Sequence, residues 1–142
     1  MVDKKQIYLA GPLFSQAERE FNEILRDKLV EMGFSVFLPQ EDGEDDIYNR
    51  VENNQRKIFE NDVKGVDTSD IVLAVLDGGS DVDSGTAWEM GYAYAKNIPV
   101  LGLKTDFRTF GEDGIVNLMM EMTVEALERD VESILKVLES YK

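Results

Sequence analysis

The residues from Asp77 to Ala93, Asp-Gly-Gly-Ser-Asp-Val-Asp-Ser-Gly-Thr-Ala-Trp-Glu-Met-Gly-Tyr-Ala, bring together the chain's most suggestive side chains. Asp77, Asp81 and Asp83 lie in a glycine-rich turn, and Glu89 follows about one turn into a helix that should begin near Gly85. Near a helix N-terminus the dipole favours a carboxylate that stays ionised at neutral pH. Such a carboxylate, placed beside a cleft, can attack a sugar carbon. The same residues also fit a solvated acidic loop followed by an ordinary helix-opening glutamate. A third reading makes the three aspartates ligands for a hard cation such as magnesium, although the segment lacks the sixth-position glycine of an EF-hand loop.

Composition removes many other chemistries. The 142 residues contain no cysteine and no histidine. Thiol nucleophiles, imidazole bases, disulfides and the usual zinc sites are therefore excluded. Acid–base and nucleophilic work falls to carboxylates, tyrosines, lysines or water. A net charge of −14 opposes binding to nucleic acid. No GxGxxG follows the first strand and there is no Walker lysine, so no dinucleotide or nucleoside triphosphate cradle is expected, and no cofactor or metal. Lys4 and Lys5 precede only a short apolar run, Ile7 to Ala10, and no stretch approaches membrane-spanning length. These features predict a cytoplasmic protein with no membrane partner. With 43% hydrophobic and 31% charged residues, the chain reads as a single globular domain over 1–142.

The elements that must position the acidic turn follow from periodicity. Residues 6–11 read as a first buried strand, ended by Gly11-Pro12. Ser15 to Glu18 fits a capping box opening a helix whose inward face is Phe21, Ile24, Leu25, Leu29 and Met32, with Gly33 stopping it. A second strand spans 34–38, and an acidic loop 40–46 follows. Helix 47–65 turns Ile47, Val51, Ile58, Phe59 and Val63 inward. A third strand covers 71–76, and the small-residue helix 85–96 comes next. A fourth strand covers 98–103, then a loop in which Lys104 and Arg108 read as solvated. A short helix is expected near Ile115 and a weak fifth strand at 122–126. The last helix, 128–141, presents Val131, Ile134, Leu135, Leu138 and Tyr141 on one face. This alternation predicts an α/β fold: a doubly wound five-stranded parallel sheet, flavodoxin-like order 2-1-3-4-5, with helices on both faces. Its topological switch point lies between strands 1 and 3, where the loops 11–15 and 77–85 would meet. The acidic turn thus falls at the expected cleft. Tyr8, near the end of strand 1, reads either as a partner for Glu89 or as a buried strand tyrosine.

Four segments carry a family resemblance: Ile7-Tyr8-Leu9-Ala10-Gly11-Pro12-Leu13-Phe14, Asp62 eight residues before Asp70, Asp83 to Ala93, and Asn117-Leu118-Met119. Together they resemble the nucleoside 2-deoxyribosyltransferase family over nearly the whole chain. The resemblance implies that Glu89 is the nucleophile of a covalent deoxyribosyl intermediate, oriented by Tyr8. It further implies that Asp83, with Ser84 and Gly85 beside it, holds the sugar 5′-hydroxyl, and that Asp62 contacts the base and helps move its proton. Phe14 and Met119 would line the pocket, and Gln40 falls where a base-binding glutamine is found. Asn117 would complete a neighbouring subunit's site. The implied partners are deoxynucleosides, free nucleobases and further copies of the chain in a homo-oligomer.

Asp62 poses a difficulty, because a helix returning toward strand 3 carries its end away from the cleft. The resemblance also extends to 2′-deoxynucleoside 5′-phosphate N-hydrolases, which tend to carry serine where this chain has Asp83. A nucleoside- or nucleotide-binding module without turnover is the reading from a different class.

Overall fold

The structure is a computed structural model that describes residues 3–42, 52–112 and 114–142. Five parallel strands form one sheet in the order β2-β1-β3-β4-β5, as expected. They are β1 (Gln6–Ala10), β2 (Ser35–Phe37), β3 (Ile71–Val75), β4 (Val100–Leu103) and β5 (Ala126–Glu128). The helices between them are α1 (Gln16–Glu31), the short α2 (Pro39–Asp42), α3 (Glu52–Asp67), α4 (Ser84–Ala95), α5 (Leu118–Thr123) and α6 (Val131–Glu139). No helix among the described residues is long and apolar enough to cross a membrane.

Side chains of a strand alternate between faces, and each face here has its own core. Ile7, Leu9, Ile71, Leu73, Val75, Leu101 and Leu103 point to one side and meet Leu25 and Leu29 of α1 and Ile134 and Leu138 of α6. Tyr8, Ala10, Val72, Ala74 and Val100 point to the other and meet Val66 of α3 and Met90 and Ala93 of α4. The register fixes this alternation, with Tyr8 opposite Val72 and Val72 opposite Val100. Tyr8 and Glu89 therefore share the face that α3 and α4 cover.

Local signals explain most boundaries. Ser15 caps α1 by accepting from the Glu18 amide, and the Glu18 side chain accepts from the Ser15 amide, which completes the expected box. Gly33 follows the helix with φ 106°, a left-handed conformation that suits glycine. Asp130 caps α6 through the Ser133 amide, so that helix starts later than periodicity suggested.

Some expectations are corrected. Ile24 is 57% exposed, because the buried positions of α1 are Asn22, Leu25 and Leu29 and the stripe is narrower than the apolar pattern. The fifth strand is 126–128 rather than 122–126, since Leu101 pairs with Ala126 and α5, capped by Asn117, occupies 118–123. Residues 40–42 of the acidic loop are helical, as part of α2 (Pro39–Asp42), with Asp42 accepting from the Leu38 amide. Residues 43–46, Ile47 and Val51 lie outside the described residues. Lys104 is buried, not solvated: its ammonium donates to Asp106 at 2.7 Å, and the Arg108 guanidinium reaches the same carboxylate at 2.8 Å. These two cations hold the Asp106 carboxyl down at about 2, against the opposing effect of its own burial.

Candidate active site

A cavity of about 660 Å³ opens at the carboxyl side of the sheet, between the β1–α1 loop, α3 and α4. From α3 it takes Gln55, Ile58, Phe59, Asp62 and Val63, the i, i+3, i+4, i+7, i+8 pattern of one helix face. From α4 it takes Gly85, Trp88 and Glu89, while Thr86, Met90 and Ala93 of that helix are buried. The β1–α1 loop contributes Gly11, Leu13 and Phe14, and Asp83 lines the cavity at the head of α4. Three carboxylates thus face a chamber whose walls are otherwise mostly apolar and aromatic.

The Tyr8 hydroxyl donates to Glu89 Oε2. Tyr8 has no exposed surface, and its ring stacks on Phe37 with centroids 5.2 Å apart and planes 12° from parallel. Burial pushes the Tyr8 phenol well above its ordinary value, and the charges of Glu89 and Asp62 push it further. At neutral pH it is a committed hydrogen-bond donor to Glu89.

Glu89 itself departs from the expectation of an ionised helix-opening carboxylate. Burial pushes it up to about 8, and neither the hydrogen bond from Tyr8 nor the helix terminus overcomes that effect; Asp62 and Asp83 push it further up. Glu89 is the sixth residue of α4, counting from Ser84, and the dipole's influence fades within the first turn. Desolvation wins, and Glu89 holds a proton at pH 7. Asp62 is also raised by burial, to about 6, and its Oδ1 is buried without a hydrogen-bond partner among the described residues. A buried carboxylate oxygen with no protein partner is costly. It is an acceptor available to a ligand in the cavity.

The anticipated difficulty with Asp62 is resolved by depth. α3 and α4 descend side by side, with Phe59 edge-on to Trp88 near the top and Asp67 accepting from the Tyr92 hydroxyl lower down. Asp62 lies between these levels and reaches the cavity from its side wall. Glu89 lines the same cavity and meets the Tyr8 hydroxyl behind it.

Asp83 caps α4, accepting through Oδ2 from the amide and the hydroxyl of Thr86 at 3.0 and 3.2 Å. The other two aspartates of the turn face other partners. Asp77 accepts from the amides of Thr105 and Asp106, and Asp81 accepts from the Asn117 amide at 3.1 Å. No group of three acidic side chains suited to a metal ion occurs among the described residues.

Of the residues singled out by sequence, the cavity gathers Glu89, Asp62, Asp83, Phe14 and Gly85, with Tyr8 behind Glu89. Ser84, Gln40, Asn117 and Met119 are not among its described lining. The Gln40 amide instead donates to the Arg19 carbonyl and accepts from Asn22, which ties α2 to α1. Asn117 caps α5 through the Met119 amide, and Met119 is 73% exposed. Sequence reasoning missed Gln55, Trp88 and the aromatic wall of Phe59 and Trp88. The signal was present: an apolar stripe on α3 interrupted by Gln55 and Asp62, two polar residues at positions that a buried face would keep apolar.

The family model described as nucleoside 2-deoxyribosyltransferase matches residues 7–132. Among solved structures, the chain is similar to a conserved protein from Enterococcus faecalis V583, with TM-score 0.82, 29% identity and coverage of 99% of this chain and 100% of that one. It is also similar to the 2-deoxyribosyltransferase of Bacillus psychrosaccharolyticus, with TM-score 0.78, 28% identity and coverage of 91% and 89%. An uncharacterized protein of Ureaplasma parvum serovar 3 is 32% identical over an alignment of 124 residues, with coverage of 76% of this chain and 75% of that relative.

Proposed function

Because the chain belongs to the nucleoside 2-deoxyribosyltransferase family, we propose that it transfers 2-deoxyribose between nucleobases through a glycosyl-enzyme intermediate on Glu89. The observation that carries this reading is the Tyr8–Glu89 hydrogen bond at the wall of a cavity that Asp62 and Asp83 also line. In the first step the Glu89 carboxylate attacks C1′, and the bond from C1′ to the base nitrogen breaks. The bond's electron pair leaves on the base, which takes up a proton. In the second step a different base attacks C1′, releases its proton and frees Glu89. The pair of carboxylates supports oxocarbenium-like chemistry of this kind.

Proton accounting gives Asp62 its role. Near pH 7 the Glu89–Asp62 pair holds one proton, mainly on Glu89. Attack requires that proton to leave Glu89, and departure of the base requires one to arrive there. Asp62, with its unpartnered oxygen, is the group suited to carry it. Only the singly protonated pair serves both needs, so kcat/KM should peak near pH 7. It should fall below about 6, where both carboxyls are protonated, and above about 8, where both are ionised. A rate that kept rising beyond pH 9 would remove the shared proton from the mechanism.

The direct test is incubation of a deoxynucleoside with a second free base, without phosphate, metal or cofactor, followed by chromatography. Exchanged nucleoside is expected. Release of free deoxyribose alone would make the protein an N-glycosidase, and ligand-dependent thermal stabilisation without product would make it a binding module. Since Asn117 and Met119 sit outside their own chain's cavity, their family roles are best met in the site of another copy, which supports a homo-oligomer. Light scattering on the purified chain checks this. Such an activity fits cytoplasmic salvage of deoxynucleosides.

A further inference from the structure

We infer that Gly65 and Phe37 form a positioning stack that sets Tyr8 and Asp62 against Glu89. This rests on the reading of Glu89 as the nucleophile and extends it to two residues that touch no substrate.

Gly65 lies inside α3, where glycine is disfavoured relative to alanine. A Cβ added there would stand 2.9 Å from Cε1 and Cζ of Phe37 and 3.0 Å from its Cδ1. The two distances of 2.9 Å are shorter than real Cβ atoms adopt, so the bare backbone of α3 lies directly on the Phe37 ring. The other side of the arrangement is the parallel stack of Phe37 on Tyr8, and the Tyr8 hydroxyl ends on Glu89. A continuous column therefore runs from α3 through β2 and β1 to α4: Gly65, Phe37, Tyr8, Glu89.

The column has two consequences. Phe37 limits the swing of the Tyr8 ring, which keeps the phenol on the carboxylate. Gly65 sets how closely α3 approaches the sheet, and Asp62 precedes it by three residues, on the same side of the helix. The close approach at Gly65 is what brings Asp62 in to the cavity wall. Interior side chains pack densely enough that a displacement at Gly65 must be passed on rather than absorbed.

Gly65→Ala should push the ring or the helix by a few tenths of an ångström or more. A misplacement remote from the chemistry can cost on the order of 10²-fold in rate. We expect kcat for base exchange to fall by roughly 10- to 100-fold with KM changed less than about threefold. The effect should depend on the ring. In a Phe37→Val background, where the ring atoms are gone, adding Gly65→Ala should cost less than about threefold further, because coupled residues are not additive. Equal losses in the two backgrounds would overturn the inference.

A second readout does not depend on turnover. The full-length protein, labelled at glutamate side-chain carboxyls, can be titrated by NMR to follow Glu89 in the presence of its facing groups Tyr8, Asp62 and Asp83. Phe37→Val should move the Glu89 titration upward, since the phenol that favours its ionised form is released. A residue that merely supports the fold would lower the melting temperature and leave that titration in place, which would also overturn the inference. If the wild type performs no base exchange, the proposed transfer fails, while an upward Glu89 titration in Phe37→Val would still uphold the stack.

Discussion

Replacing Glu89 by glutamine is expected to abolish base exchange, by about four powers of ten or more, while making the protein more stable. The loss follows from the role: a nucleophile contributes chiefly in the transition state, so binding of a deoxynucleoside should remain measurable. The gain follows from burial. The Glu89 carboxyl is raised to about 8 in the folded state from an ordinary value near 4.5. A carboxyl whose folded value is raised favours folding fully below its unfolded value, and that contribution is lost as pH rises through the folded one. At pH 7 the lost portion amounts to about 3 kcal/mol, at 1.36 kcal/mol per pH unit. Glutamine is neutral throughout and can still accept from the Tyr8 hydroxyl. Its advantage should therefore be absent near pH 4, grow through neutrality and level off above about pH 8. For a chain of this length 3 kcal/mol corresponds to a rise of roughly 10 °C in Tm. Thermal scans from pH 5 to 9, with mass spectrometry of a 2-fluoro sugar adduct, read both effects. A sugar adduct persisting in Glu89→Gln would move the nucleophile to another residue, with Asp83 next in line. A mutant with unchanged Tm would mean that Glu89 is solvated rather than held in the wall.

That pairing also marks where sequence reasoning reached its limit. The sheet order was legible because five apolar runs alternate with helical stripes, and short crossovers leave few topologies open. The acidic turn landed at the cleft because a switch point is a consequence of strand order alone. The ionisation of Glu89 was misjudged because the helix dipole is local and visible in the sequence. The desolvation that outweighs it comes from the enclosing tertiary structure, which local reasoning does not weigh. Asp62 looked misplaced for a related reason. Its depth depends on how closely α3 lies on Phe37, and one glycine among sixteen helical residues sets that distance. Lys104 looked solvated because its partner Asp106 is recognisable only once the loop after β4 has folded back on itself, with Arg129 holding the carbonyls of Lys104 and Asp106.

The substrate's 5′ end should divide transfer from nucleotide hydrolysis, and deoxynucleosides should outperform their 5′-monophosphates by about three powers of ten. Asp62, Asp83 and Glu89 face the cavity, and no lysine or arginine is among its described lining residues. The cations of the neighbouring loop are committed elsewhere: Lys104 and Arg108 both pair with Asp106. Arg56 stands over the Phe59 ring, 5.6 Å from its centroid. A phosphate charge about 4 Å from the Asp83 carboxylate, at an effective dielectric near 20, would be repelled by about 4 kcal/mol. The opposing influence is the N-terminus of α4, which would attract a phosphate through its free amides. Asp83 already uses that terminus, taking the Thr86 amide for itself. Asp83→Ser separates the two influences. Serine caps a helix about as well as aspartate, so α4 and Glu89 should stay in place. It removes the charge and adds a hydroxyl that can donate to phosphate. In that variant the gap between deoxyadenosine and its 5′-monophosphate should shrink by at least about tenfold in kcat/KM, mostly through the monophosphate improving. An unchanged gap would show that Asp83 does not face the 5′ position. A wild-type preference for the monophosphate would defeat the transferase reading and favour a nucleotide N-hydrolase built on the same Glu89.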